Sequence, residues 1–327
     1  MKNMKYDIVA LGELLVDFSQ RSINQKGNPI MEVSPGGAPC NLLSMATKLG
    51  SKCAFIGKVG NDYFGSKLRE GLIQQGIECK GLILDDKAST TLAFVHEDSD
   101  GKHYFSFSRK PGADTMLRPE EVETELIKEA SIFHFGSVSF SNSPSREATE
   151  FAIQIAEKAG CLLTFDANIR HNMWDDDTLL MKYVQYGLAH CQVLKVSDEE
   201  LKEMYPNLDM KQAVQRMKEE YSGIDLILVT CGVEGNHAFG RDFAANVPAI
   251  PALQVADTTG AGDSFFGSCV HFLADKPEGR FEKQYVEKAM RYGSSAASII
   301  VSREGSLFEM PTKKEVEKNL NGIELSK

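Results

Sequence analysis

Several short segments of this chain are apolar at every position, and Leu226-Ile227-Leu228-Val229 is the plainest of them. A strand sends successive side chains to opposite faces, so a strand without polar positions needs cover on both sides. Strand candidates lie at 6–11, 52–59, 131–136, 161–166, 192–196 and 224–230. The longer segments between them, 63–75, 145–158, 178–189 and 209–221, carry apolar residues at helical spacing, as in Tyr63, Phe64, Leu68, Leu72 and Ile73. This alternation predicts parallel βαβ units, and hence an α/β fold: a three-layer α/β/α sandwich around a mainly parallel sheet. A chain of 327 residues suffices for one large domain or two smaller ones. No repeat, low-complexity tract or proline-rich linker marks a boundary, so residues 1–327 are read as one domain.

Two regions depart from that rhythm. Residues 14–35 and 88–110 contain alternating runs, notably Thr91-Leu92-Ala93-Phe94-Val95 and His103-Tyr104-Phe105-Ser106-Phe107, with Asp98-Ser99-Asp100-Gly101 as a hairpin turn between them. Antiparallel ribbon inserted in a parallel sheet makes either a small β lid over a ligand or a plain edge hairpin. After Asp263 the chain is helical at 264–274 and 282–301, and 313–327 reads as a solvated helix.

Composition narrows the class. With 42% hydrophobic and 25% charged residues the chain has material for a substantial core and does not read as disordered. A net charge of -10 disfavours nucleic acid and anionic membrane as partners, and a bound polyanion needs locally focused positive potential. The seven cysteines (40, 53, 79, 161, 191, 231, 269) are scattered, odd in number and never Cys-x-x-Cys, which predicts reduced thiols in a cytoplasmic protein. No apolar run approaches the ~18 residues that span a bilayer. The histidines show no ligand spacing, so no structural metal is expected.

The chemistry concentrates at Asp257-Thr258-Thr259-Gly260-Ala261-Gly262-Asp263, directly before Phe265, Phe266, Cys269, Val270, Phe272 and Leu273 at helical spacing. Exposed backbone amides of small residues at a helix N-terminus cradle phosphate oxygens. A carboxylate at the rim, Asp263, takes a proton from an attacking hydroxyl, unless it merely caps the helix. A second segment, Pro35-Gly36-Gly37-Ala38-Pro39-Cys40-Asn41, also leads into a helix, and the Asn41 amide offers both donor and acceptor to a hydroxyl-rich ligand. The chain contains neither Gly-x-Gly-x-x-Gly nor Gly-x4-Gly-Lys-Ser/Thr, which counts against dinucleotide-binding dehydrogenases and P-loop enzymes.

These segments, with Gly12-Glu13-Leu14-Leu15-Val16-Asp17 and Asp166-Ala167-Asn168-Ile169-Arg170, occur in an order that resembles the ribokinase-like (PfkB) carbohydrate kinases, fructokinases most of all, almost end to end. The resemblance implies ATP-dependent transfer of a γ-phosphoryl group to a primary hydroxyl of a ketohexose, fructose to fructose 6-phosphate, with Mg²⁺. It implies Asp263 as base and Gly260, Ala261 and Gly262 as the anion hole. Asp17, Gly36, Gly37, Asn41, Arg109, Asn168 and Arg170 are implied as sugar contacts, although Asp17 also reads as a loop-entry residue and Arg109 as a surface one. Lys195, Glu200, Thr230, Gly232, Gly235 and Ser294 fall on the nucleotide side. Glu200 is further implied to order Mg²⁺ through water, while Asp257, Ile300, Arg303 and Gly305 align with a loop that binds a monovalent cation such as K⁺. Two departures stand out: Ala167 replaces the usual Pro, and Ser197 replaces an Asn, so that Ser197 and Glu200 equally form a capping box. Ribokinase and 2-keto-3-deoxygluconate kinase share the scaffold, and a non-catalytic sugar-binding regulator is the alternative from another class. Homodimerisation through the lid edges is a further expectation.

Overall fold

The computed structural model describes residues 4–97 and 103–324. Its strands are β1 (Tyr6–Leu11), β2 (Leu15–Ile23), β3 (Pro29–Gly36), β4 (Cys53–Gly60), β5 (Glu78–Asp85), β6 (Leu92–Glu97), β7 (His103–Ser108), β8 (Ala130–Gly136), β9 (Leu162–Asp166), β10 (Val193–Ser197), β11 (Leu226–Thr230), β12 (Asn236–Phe239) and β13 (Ala244–Val247). The helices are α1 (Ala38–Leu49), α2 (Tyr63–Gln74), α3 (Thr124–Lys128), α4 (Ser145–Ala159), α5 (Asp177–His190), α6 (Asp198–Met204), α7 (Met210–Glu220), α8 (Ala261–Asp275), α9 (Lys283–Ile300) and α10 (Lys313–Glu324).

Nine strands form the main sheet in the order β13-β12-β11-β10-β9-β8-β1-β4-β5, parallel except for the antiparallel pairings of β12 with β11 and β13. The apolar runs divide between two layers as their period demands. Val9, Leu11, Phe133, Phe135, Ile227 and Val229 enter the core beneath α3 to α7, whereas Ile8, Ala10, Ile132, Leu226 and Leu228 enter the one beneath α1, α2, α8 and α9. Every polar position in such a strand would strand a group in one core or the other, which is why the sequence has so few.

All six strand candidates are present. The edges carry what the pattern did not show. β5 begins with Glu78 and Lys80 exposed around buried Cys79, and β12 and β13 are only four residues each. The alternating regions fold together as a separate four-stranded sheet, β3-β2-β6-β7, in which β6 and β7 pair from Leu92↔Ser108 onward. The turn expected at Asp98–Gly101 lies outside the described residues. The C-terminal helix departs from the solvated reading: Val316 is fully buried and packs with Met45, Leu49, Ala296, Ile300 and Met310.

Phe135 is fully buried and its ring stacks on Phe165 at 5.0 Å. Phe135→Ala is expected to cost about 3–5 kcal/mol of unfolding free energy through the cavity it leaves, read as a lower urea midpoint with an unchanged slope.

Candidate active site

Parallel strands end on one edge of the sheet, and the loops that leave them build a cavity of about 440 Å³ there. α1 and α8 start at this cavity; glycine is the N-cap residue of both, so neither N-cap supplies a side chain. The two helices pack closely because Gly267 meets α1: a Cβ there would lie 2.6 Å from the Leu42 carbonyl oxygen. In α8 the first helical bond runs from the Ser264 N–H to the Gly260 carbonyl. The amides of Gly262 and Asp263 therefore precede the helical ladder, and the positive end of the helix dipole favours an anion beside them.

Asp263 sits in the first turn of α8, and its Oδ2 accepts a hydrogen bond from Asn41 Nδ2 at 2.7 Å. Burial pushes its carboxyl up to about 6 and the Asp166 charge adds to this, while Asn41, Lys195 and Arg170 pull the other way. Below it Lys195 donates to both oxygens of Asp166, at 3.0 and 3.2 Å, with both residues buried. Burial alone lowers the lysine, but the charges of Asp166, Glu200 and Asp263 outweigh it and raise the ammonium above its usual range. Lys195 is a fixed cation under the cradle. Asn168 lines the same cavity with a left-handed backbone (φ 35), and its N–H donates to Asp166 Oδ1 at 3.1 Å.

The small sheet supplies the facing wall. Ser34, Asp17, Ala93 and Phe107 lie side by side in register across its four strands. Leu15, Asp17 and Ser19 of β2 face the cavity, while Phe18 turns away to pack on Phe64 and Phe94. Burial and the charge of Asp257 raise the Asp17 carboxyl to about 7. Glu13, which the sequence reading quoted without a role, is also raised to about 7 by burial, and its Oε1 accepts the Ala38 N–H at 3.0 Å. It lines the cavity too, as do Ser306, Asn172 and Met173. The strand ends of the sheet are tied across: the Val16 N–H donates to the Thr91 carbonyl, and the Thr91 hydroxyl donates to Asp114 Oδ1.

Of the residues expected at the site, Asp17, Gly37, Asn41, Asn168, Arg170, Lys195, Asp257, Gly260, Gly262, Asp263 and Gly305 line this one cavity. Gly36 stands behind Asp17, and Ala261 lies between two lining residues. Arg109 is placed elsewhere. Its Nε and one terminal nitrogen donate to Asp114 Oδ2 at 2.9 and 2.7 Å, the other donates to Ser141 at 2.9 Å, and the side chain lines a neighbouring cavity of about 580 Å³. Glu200 is buried as a capping box with Ser197, and its other oxygen accepts the Ile169 N–H at 2.8 Å. Thr230 ends β11, Gly232 and Gly235 follow it, and none of the three lines the cavity; Ser294 on α9 accepts from Asn236 Nδ2 at 2.9 Å. Ile300 is buried, and Arg303 pairs with Glu315, so any cation at that loop meets backbone carbonyls and not these side chains.

A helix-borne anion hole with a carboxylate base beside it, on a mainly parallel α/β sheet, defines a phosphoryl-transfer enzyme acting on a hydroxyl. The sequence profile described as pfkB family carbohydrate kinase matches residues 5–313, and this chain belongs to that family. It is 35% identical over 311 residues to Fructokinase-1 of Oryza sativa subsp. japonica, covering 94% of this chain and 96% of the relative. It superposes on a fructokinase with bound ATP from Xylella fastidiosa with a TM-score of 0.89 at 27% identity, covering 98% of this chain and 100% of the other. A fructokinase of Vibrio cholerae O395 in a fructose, ADP and calcium ion bound form matches with a TM-score of 0.85 at 25% identity, covering 96% and 98%.

A Cβ on Gly36 would lie 2.1 Å from Asp17 Oδ2. Gly36→Ala is therefore expected to displace the Asp17 carboxylate and raise the KM for the carbohydrate acceptor by up to about tenfold, the equivalent of ~1.4 kcal/mol. The KM for ATP should stay put in initial-rate assays.

Proposed function

We propose that this enzyme transfers the γ-phosphoryl group of ATP to a primary hydroxyl of fructose, giving fructose 6-phosphate. The observation that carries this reading is Asp263, a carboxylate held in the first turn of α8 at the Gly260–Gly262 corner, where no side chain caps the helix. The phosphoryl group settles on those amides. The sugar lies between Asp17 on the small sheet and Asn41 on α1, and Asp263 takes the hydroxyl proton as the oxygen attacks. A loose transition state leaves the protein mainly positioning and charge stabilisation to supply. Arg170 and Lys195 are the cations that line the cavity, and both lower the Asp263 carboxyl.

Mg²⁺, bound with ATP, neutralises phosphate charge. Among the described residues no cluster of three or more carboxylate, imidazole or thiol groups is arranged to hold a metal. An ion carried mostly by phosphates and water needs no such cluster, and Glu200, whose two oxygens accept the Ile169 and Ser197 N–H groups, would support it only through water. A monovalent cation such as K⁺ belongs at the Asp257, Ile300, Arg303 and Gly305 loop through carbonyl oxygens. The small sheet acts as the lid of a single catalytic domain, and Ile30 and Val33 lie exposed on its edge strand β3, which suits pairing with a second copy. A kinase drawing on ATP is placed in the cytoplasm.

Fructose is favoured over a keto acid by the scarcity of uncommitted cations at the acceptor end. Glu13 and Asp17 are carboxyl groups, Arg109 is committed to Asp114, and Lys195 to Asp166. A substrate carboxylate would have Arg170 alone. Coupled ADP-release assays across fructose, ribose, 2-keto-3-deoxygluconate, tagatose and adenosine test this directly, and preferred turnover of the keto acid or of ribose would overturn it. Asp263→Asn is expected to lower turnover by roughly 10²–10⁴-fold with sugar binding retained; near-normal turnover would remove Asp263 from the role of base. In the native enzyme the base works only when ionised, so kcat/KM should fall about tenfold per unit as pH drops below about 6.

A further inference from the structure

We infer that Asn41 is a positioning residue for the general base, its carboxamide selecting which oxygen of Asp263 receives the substrate proton. The two residues lie on different helices, 222 positions apart, and meet through the 2.7 Å bond from Asn41 Nδ2 to Asp263 Oδ2. Asn41 is only 3% exposed, and its Oδ1 is buried without a hydrogen-bond partner. An ionised carboxylate offers only acceptors, so the NH₂ end must face it. Turning the amide over would set oxygen against oxygen. With one lone pair of Oδ2 held by Asn41, Oδ1 is the more basic oxygen of Asp263 and the one to which the acceptor is directed.

This step rests on the phosphoryl-transfer reading above. The hydroxyl O–H bond breaks and its proton goes to Oδ1 of Asp263. The hydroxyl oxygen bonds to the γ-phosphorus, and the bridging P–O bond breaks with its electron pair leaving on ADP. The other charged groups facing Asp263 are Asp166 from β9, Lys195 from β10 and Arg170 from the loop after β9. Those charges set the general level of the base, and the amide of α1 adds direction. A charge-assisted hydrogen bond of this kind is worth enough to hold an acid about one pH unit lower.

The test compares native enzyme with Asn41→Leu, which keeps the volume and removes the donor. Two readouts are taken: kcat/KM against pH, and the carbon-13 titration of the Asp263 carboxyl, assigned by its loss in Asp263→Asn. Expected are an upward move of about one pH unit in both the acid limb and the titration, with kcat lowered even where the base is fully ionised. Should Asn41→Leu fail to fold, Asn41→Ser, which admits water, is read the same way. An unmoved titration with only a raised acceptor KM would leave Asn41 as a sugar contact and nothing more, and would overturn the proposal. Should the native enzyme turn over no sugar, the functional reading fails, while the carboxyl titration still decides the Asn41–Asp263 coupling.

Discussion

The site depends on the close approach of α1 and α8. Two helices normally keep their axes apart by the thickness of their side chains. At Gly267 there is nothing between the backbones, and the Leu42 carbonyl occupies the room a methyl group would need. Only at that separation does an amide on the first turn of one helix reach a carboxylate on the first turn of the other. The same approach sets two helix N-termini at a single cavity, that of α8 without a side-chain cap, so that acid, amide and backbone donors arrive together. The sheet beneath fixes the direction in which both helices point, because every parallel strand delivers its following loop to the same edge.

Electrostatics then divides the cavity into two ends. Near Asp263, Lys195 sits among the carboxylates of Asp166, Glu200 and Asp263, a buried cation that offsets the cost of burying acids beside one another. Among the described residues Glu13 and Asp17 form no salt bridge of that kind, and burial lifts both to about 7. Groups held near neutrality donate as well as accept, which suits a polyhydroxylated ligand and discourages a charged one.

Much of this was legible in the chain, for identifiable reasons. Strands covered on both faces are mostly apolar on both, so β1, β8 and β11 show plainly. β5, β12 and β13 did not, because an edge strand tolerates polar residues and a four-residue strand has no period to read. Asp263 and Asn41 were found through the glycines before them, a local signal. Glu13 was in view beside Gly12, but nothing in one dimension says that it bends back to the Ala38 N–H. Ser34 and Phe107 face the cavity through cross-strand register, which the sequence does not print. Arg109 shows the opposite difficulty: its residue type suits a ligand, yet Asp114, five positions on, consumes its planar fork.

The stitching at the base of the small sheet has a mechanical consequence. Glu13 joins the foot of β2 to the start of α1 just after β3, while Thr91 and Arg109, at the feet of β6 and β7, share Asp114. Four strands so fastened are cross-braced at one end as well as along their ladders, so their register does not rest on main-chain pairing alone. Asp17, Ser34 and Phe107 are thereby held as one continuous surface along the cavity.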